Sequence, residues 1–135
     1  MNSQSICKKL FDGGCYFLAL LHLAQRDNDA IGLYKQAVAV GVMDEECYIQ
    51  DPARLLSLIA GGTWRVVHQA AQYITKSDEM EILRFERKAT AKTYAHFVVG
   101  DGRGHVAYDP LDNAQTVSEG QLVSKRIIKR LDDHI

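Results

Sequence analysis

From Tyr16 to Ala24 the chain carries one polar side chain, His22. A helix of that composition has no face to offer to water, so it belongs in the middle of a core rather than on its surface. The segment Cys15 to Gln25 is therefore read as a central helix around which the other elements must be arranged, with Asp12-Gly13-Gly14 as a flexible lead-in that can cap it. A second helix is expected from Asp29 to Val40, started by Asn28 or Asp29 and ended by Gly41. A third is expected from Pro52 to Ala60. Asp51 suits its N-cap, Pro52 its first turn, and Gly61-Gly62 its stop.

Beyond Gly62 the pattern turns to short strands. Trp64-Arg65-Val66-Val67 and Glu81 to Arg87 are candidates, and Tyr94 to Gly100 with His105 to Asp109 form the clearest pair, around the loop Asp101-Gly102-Arg103-Gly104. A last strand or helix covers Val123 to Leu131, whose basic cluster (Lys125, Arg126, Lys129, Arg130) reads as a solvated face. Helices followed by an antiparallel sheet make an α+β fold, and 135 residues suit one domain spanning 1–135.

Charge narrows the partners. With 16 basic and 17 acidic residues the net charge is −1, which supplies no drive toward nucleic acid or an anionic membrane. No apolar run approaches the roughly 18 residues of a membrane span, and Met1 to Lys9 has no signal-peptide core. The three cysteines, Cys7, Cys15 and Cys47, are odd in number and form no CxxC pair. That usage fits reduced thiols in a cytoplasmic protein, with no structural zinc and no cofactor expected. The oligomeric state is not encoded in any feature of the chain.

A four-residue loop from Asp101 to Gly104 would pair Gly100 with His105 and, stepping outward, set His96 opposite Asp109. Directly opposed residues share a face, with Cβ atoms about 5 Å apart, within reach of an imidazole–carboxylate hydrogen bond. The other face then carries Phe97, Val99, Val106 and Tyr108 as a core face. One residue more or less in the loop would move the pair to a diagonal. A cysteine nucleophile needs a base to form thiolate, an orienting group behind that base, and gains from a helix N-terminus. Cys15 has the helix start, and His96 and Asp109 supply the other two roles.

In these residues the chain resembles the papain-like cysteine peptidases. Gly13-Gly14-Cys15-Tyr16-Phe17-Leu18-Ala19-Leu20 is similar to their nucleophile helix. The nearest likeness is to small bacterial bacteriocin-leader-processing (peptidase C39-like) domains, whose histidine opening a strand and Asp-Pro ending the next are matched by His96-Phe97-Val98-Val99 and Asp109-Pro110. The resemblance implies a papain-like fold, catalytic residues Cys15, His96 and Asp109, and attack of a thiol on an amide carbonyl. It also implies a glutamine six residues before the cysteine, donating to the oxyanion. Lys9 stands there instead, and the nearest upstream glutamine is Gln4. The absence of one such donor costs about 10²–10³ in rate.

The remaining candidates read more simply. Cys47 follows Glu45 and Glu46, which disfavour thiolate; Cys7 has no base placed beside it. His22 lies about 10 Å along the helix axis from Cys15, too far to take its proton, and reads as a core or rim histidine with a local partner. His105 is the alternative base if the hairpin slips. A zinc site of His96, His105, Asp109 and Cys15 lacks any recognised ligand spacing. His68 and His134 carry no pattern, Gly100 to Gly104 serves as a turn rather than a phosphate loop, and Trp64 reads as core. The sequence thus supports a cysteine peptidase or amidase, of bacterial or phage type, acting on a peptide, protein or peptidoglycan peptide. The alternative is a catalytically weak papain-like module that binds a protein or peptide partner.

Overall fold

A computed structural model describes residues 1–112 and 114–132; His134 lies outside them. Contacts divide the chain into two compact units, one formed by Met1–Arg65 with residues 130–132, the other by Val66–Lys129.

The first unit is helical. Helix α1 (Ser3–Gly13) was not anticipated from the sequence. Its apolar side is thin, with only Ile6 and Leu10 buried one turn apart, but Asn2 caps it by accepting from the Ser5 N–H at 2.8 Å. The expected lead-in is therefore helix: Asp12 and Gly13 belong to α1, and Gly14 alone is the joint to α2 (Cys15–Leu23). A Cβ on Gly14 would stand 2.6 Å from the Leu10 carbonyl oxygen, so only glycine lets the two helices join this closely. In α2 the side chains of Phe17, Ala19, Leu20 and Leu21 are buried, as its all-round apolar composition requires. A short 3₁₀ turn (Asp27–Asp29) leads into α3 (Ala30–Ala39). Helix α4 (Pro52–Ala60) follows the sequence signals, with Asp51 accepting from the Arg54 N–H, Pro52 in the first turn, and Gly61 leaving the helix at φ +71°. α1 packs on α2 and α3, and α4 on α3.

The sheet consists of β1 (Trp64–Ala70), β2 (Met80–Ala89), β3 (Lys92–Gly100), β4 (Val106–Tyr108) and β5 (Gln121–Arg130), in the order β1-β5-β2-β3-β4. The β2–β3, β2–β5 and β3–β4 pairs are antiparallel. A single turn of helix, α5 (Gln115–Ser118), precedes β5 and packs on β2 and β3. The architecture is α+β, as expected.

Three expectations need correction. The hairpin does not pair Gly100 with His105: Gly100 faces Val106, and past a bulge Val99 faces Tyr108. The assumed four-residue turn is in fact closed one residue later, by Asp101 donating its N–H to the His105 carbonyl at 2.9 Å. Phe97, Val99, Val106 and Tyr108 do not make one core face. Val106 is exposed, and Phe97 is half-buried with the guanidinium carbons of Arg84 and Arg126 at 5.8 and 5.4 Å from its ring centre. Nor is the whole basic cluster of β5 a solvated face: Arg130 is exposed, but Lys125 is not. Lys125 is buried, donating to Glu81 at 2.9 Å, because its register position opposite Leu83 turns it to the covered side of the sheet.

Candidate active site

Cys15 opens α2 and is partly exposed. The joint that presents it is tied down from within the helical unit. Gly14 donates its N–H to Leu10 at 2.9 Å, and Leu18 donates to the Gly14 carbonyl at 2.8 Å. Next to this joint lies the loop after α3, whose Glu46 carbonyl would stand 3.4 Å from a Cβ on Gly13. Asp44 shapes that loop by accepting from the N–H groups of Glu46 and Tyr48, each at 2.9 Å. Cys47 sits in it at φ +67°, buried, with its thiol 3.9 Å from the Lys9 carbonyl. Burial first, then the charges of Asp44 and Glu46, push the Cys47 thiol up to about 11, so it stays protonated at neutral pH.

Gln4 is the glutamine weighed as an oxyanion donor, and Lys9 stands where the resemblance expects one. Lys9 forms an ion pair with Glu46. Gln4 lies exposed in the first turn of α1, and the connection from Gln4 to Gly14 is continuous helix, a rise of about 15 Å, rather than a loop able to fold back.

In the sheet unit, His96 lies in β3 opposite Phe85 of β2, and its side chain is 4% exposed. Asp109 follows β4 directly, is 9% exposed, and accepts from His96 Nε2 at 2.6 Å. The sequence brought these two together by an opposed register that does not exist. They meet because the chain leaves the sheet after Tyr108 and turns at Asp109-Pro110. The turn is built on the carboxylate itself: Oδ1 also accepts from the Leu111 N–H and Oδ2 from the Ala114 N–H, both at 2.9 Å. Burial pushes the Asp109 carboxyl up, but the bonds from Ala114, His96 and Leu111 outweigh it and hold the group below the ordinary carboxylate range.

A carboxylate can only accept, so the nitrogen facing it carries the proton. In the neutral imidazole this puts the hydrogen on Nε2 and the basic lone pair on Nδ1. An anchored, water-excluded carboxylate behind a histidine can hold the imidazole in one tautomer and orientation.

The other histidines are placed differently. His22 pairs through Nδ1 with Asp27 at 2.8 Å, the local partner its position called for. His105, the alternative base, is exposed and lies 3.5 Å from Asp101, while His68 is exposed on β1. Arg126 first, then partial burial and Arg84, hold the His68 imidazole below its ordinary value. Among the described residues no three His, Cys, Asp or Glu side chains gather into a metal-holding group, and no helix is long and apolar enough to cross a membrane.

The sequence reading missed the network behind the hairpin, in which Glu81 and Lys125 form a buried ion pair with side chains 0% and 4% exposed. Two charged residues 44 positions apart give no local signal of pairing.

A family model matches residues 1–130; the family is DUF261, described as a protein of unknown function. No curated protein matches the chain, and no solved structure does.

Proposed function

Starting from a chain that belongs to the DUF261 family, we propose that it is a thiol hydrolase of papain-like type acting in the cytoplasm on a peptide or amide bond. Cys15 is its nucleophile, His96 its general base and acid, and Asp109 the group that orients the base. The observation that carries this reading is the buried His96–Asp109 pair, in which the carboxylate engages Nε2 and leaves Nδ1 as the basic nitrogen. Helices that carry the cysteine first and an antiparallel sheet that carries the histidine and aspartate after it fit the same reading.

The chemistry proceeds in two steps. The Cys15 thiol gives its proton to His96 Nδ1 and its sulfur attacks the carbonyl carbon, forming a tetrahedral oxyanion. His96 returns the proton to the leaving amine as the C–N bond breaks, which leaves a thioester on Cys15. Water, deprotonated by His96, then attacks the thioester; the C–S bond breaks and the thiol is restored. Asp109 remains ionised throughout and stabilises the imidazolium that forms twice in the cycle.

Peptide, protein and peptidoglycan-peptide substrates all meet this chemistry. The test is a panel of such peptides with the wild-type chain and Cys15→Ala, followed by product analysis and by mass spectrometry for an acyl adduct on Cys15. Hydrolysis by the wild-type chain, an adduct on Cys15 and no hydrolysis by Cys15→Ala are expected. Hydrolysis that survives in Cys15→Ala overturns the reading.

A second reading has its own observation. Lys9 occupies the oxyanion-donor position of the resembled peptidases and is engaged by Glu46. That suits a module that binds a peptide or protein without cleaving it. Saturable peptide binding with no acyl adduct at Cys15 favours this second reading.

A further inference from the structure

We infer that Glu81 is a positioning residue for the His96–Asp109 pair: its buried carboxylate fixes the loop between β3 and β4 and so sets which residue of the returning chain arrives beside His96.

The loop runs from Asp101 to His105, and its Gly102 and Gly104 adopt φ of +90° and +84°, a region open to glycine at little cost. These angles turn two N–H groups toward the sheet. Both donate to Glu81 Oε2, at 2.9 Å each. The other oxygen, Oε1, accepts from the Thr75 hydroxyl at 2.6 Å and from Lys125 Nζ at 2.9 Å. Lys125 donates in addition to the Tyr73 carbonyl at 2.9 Å. Glu81 thus joins β2, β5, the segment before β2 and the tip of the β3–β4 hairpin at one buried point.

Gly100 makes room for it. A Cβ at that position would stand 2.4 Å from Glu81 Oε2. β3 therefore lacks a side chain where the carboxylate must pass to reach the loop. Burial pushes the Glu81 carboxyl up, but the bonds from Thr75, Lys125 and Gly104 outweigh it and keep the group ionised.

The consequence for the site is one of register. Pairing between β3 and β4 shifts by one residue between Gly100–Val106 and Val99–Tyr108, and Asp109 is the next residue after β4. In so short a strand the loop conformation decides that shift, since only three residues, Val106 to Tyr108, are available to pair. A slip of one residue would bring Tyr108 or Pro110 to the place of Asp109, and neither can accept from Nε2–H as a carboxylate does.

The test reads the pair directly. In the ¹⁵N-labelled chain, His96 should show an Nε2–H proton in a strong hydrogen bond, and the Gly102 and Gly104 amides should exchange slowly with solvent. Amides that exchange as fast as those of an exposed loop overturn the inference without any substitution. Gly100→Ala displaces the carboxylate and removes no polar group. Glu81→Ala combined with Lys125→Met removes the carboxylate without leaving a buried unpaired cation. Both variants should lose the His96 Nε2–H signal, whereas Ile128→Val, a buried β5 control on the opposite face of the sheet from Glu81, should keep it. A folded Glu81→Ala/Lys125→Met chain with the signal unchanged overturns the inference.

The kinetic arm alone rests on the hydrolase reading. There Gly100→Ala should lower kcat about 10²-fold with KM little changed, as misplacement of a catalytic group by about 1 Å does. If the wild-type chain turns over no peptide while the His96 signal responds as stated, the hydrolase reading fails and the positioning role of Glu81 stands.

Discussion

His96 and Asp109 meet at 2.6 Å and His22 and Asp27 at 2.8 Å, so by distance alone these two imidazole–carboxylate pairs are equivalent. Their surroundings are not equivalent. The first pair is 4% and 9% exposed, and two backbone N–H groups hold its carboxylate. The second is 38% and 40% exposed, and its aspartate stands in the short turn before α3. Water competes for every hydrogen bond of the second pair and screens its charge, whereas the first keeps a fixed geometry against little solvent. A histidine and an aspartate within reach of each other do not make a site. What separates the two pairs is burial and a backbone that holds the carboxylate in place.

The comparison breaks most visibly in turnover. On the hydrolase reading, Asp109→Asn should lower turnover about 10⁴-fold, the scale seen when a triad loses its orienting carboxylate and its imidazole takes the wrong tautomer. Asp27→Asn should change it by less than about fivefold, since an exposed pair contributes at most about 1 kcal/mol. Equal losses in steady-state assays of the two variants would erase the distinction.

Stability comes next. Asp109→Ala leaves buried donors without an acceptor and should cost about 2–4 kcal/mol in urea unfolding at neutral pH. The same substitution at Asp27 should cost less than about 1 kcal/mol.

Acid sharpens the contrast further. The folded Asp109 carboxyl titrates below its ordinary value, so its contribution is fully present above the unfolded carboxylate range. It should be lost as pH falls from about 4 toward the folded value. Wild-type urea midpoints should therefore decline more steeply than those of Asp109→Asn below about pH 4. A parallel decline would show that Asp109 is not held as described.

The smallest effect is that of salt. Raising ionic strength to about 1 M shortens the screening length to about 3 Å, which should erase much of what Asp27→Ala costs and little of what Asp109→Ala costs.

How far the sequence carried this contrast depends on the range of each interaction. Helix α4 was readable to its ends because Asp51, Pro52 and Gly61 signal it within a few residues. The burial of Phe17, Ala19, Leu20 and Leu21 in α2 was readable because nearly every side chain in the helix is apolar. Helix α1 escaped because two buried residues give a faint periodicity, and Asp12-Gly13-Gly14 before Cys15 read as a flexible lead-in. The contact between His96 and Asp109 was expected from a register that the hairpin does not have. The true contact depends on a bulge and on a turn that Asp109 itself builds, and neither leaves a mark in hydrophobic alternation. Lys125 was assigned to water because its partner Glu81 lies on another strand. Gln4 was considered as a donor on the assumption of a loop where α1 runs.

The most direct test of the account asks whether Cys15 is the thiol that His96 activates. The native chain is treated with iodoacetamide near neutral pH, and the rates at Cys7, Cys15 and Cys47 are read separately by mass spectrometry, in the wild-type chain and in His96→Ala. Cys15 should label faster than in the urea-unfolded chain and should slow in His96→Ala. Cys47, buried and pushed up to about 11, should remain the slowest of the three. A Cys15 that labels no faster than in the unfolded chain, or at a rate indifferent to His96, would contradict the account.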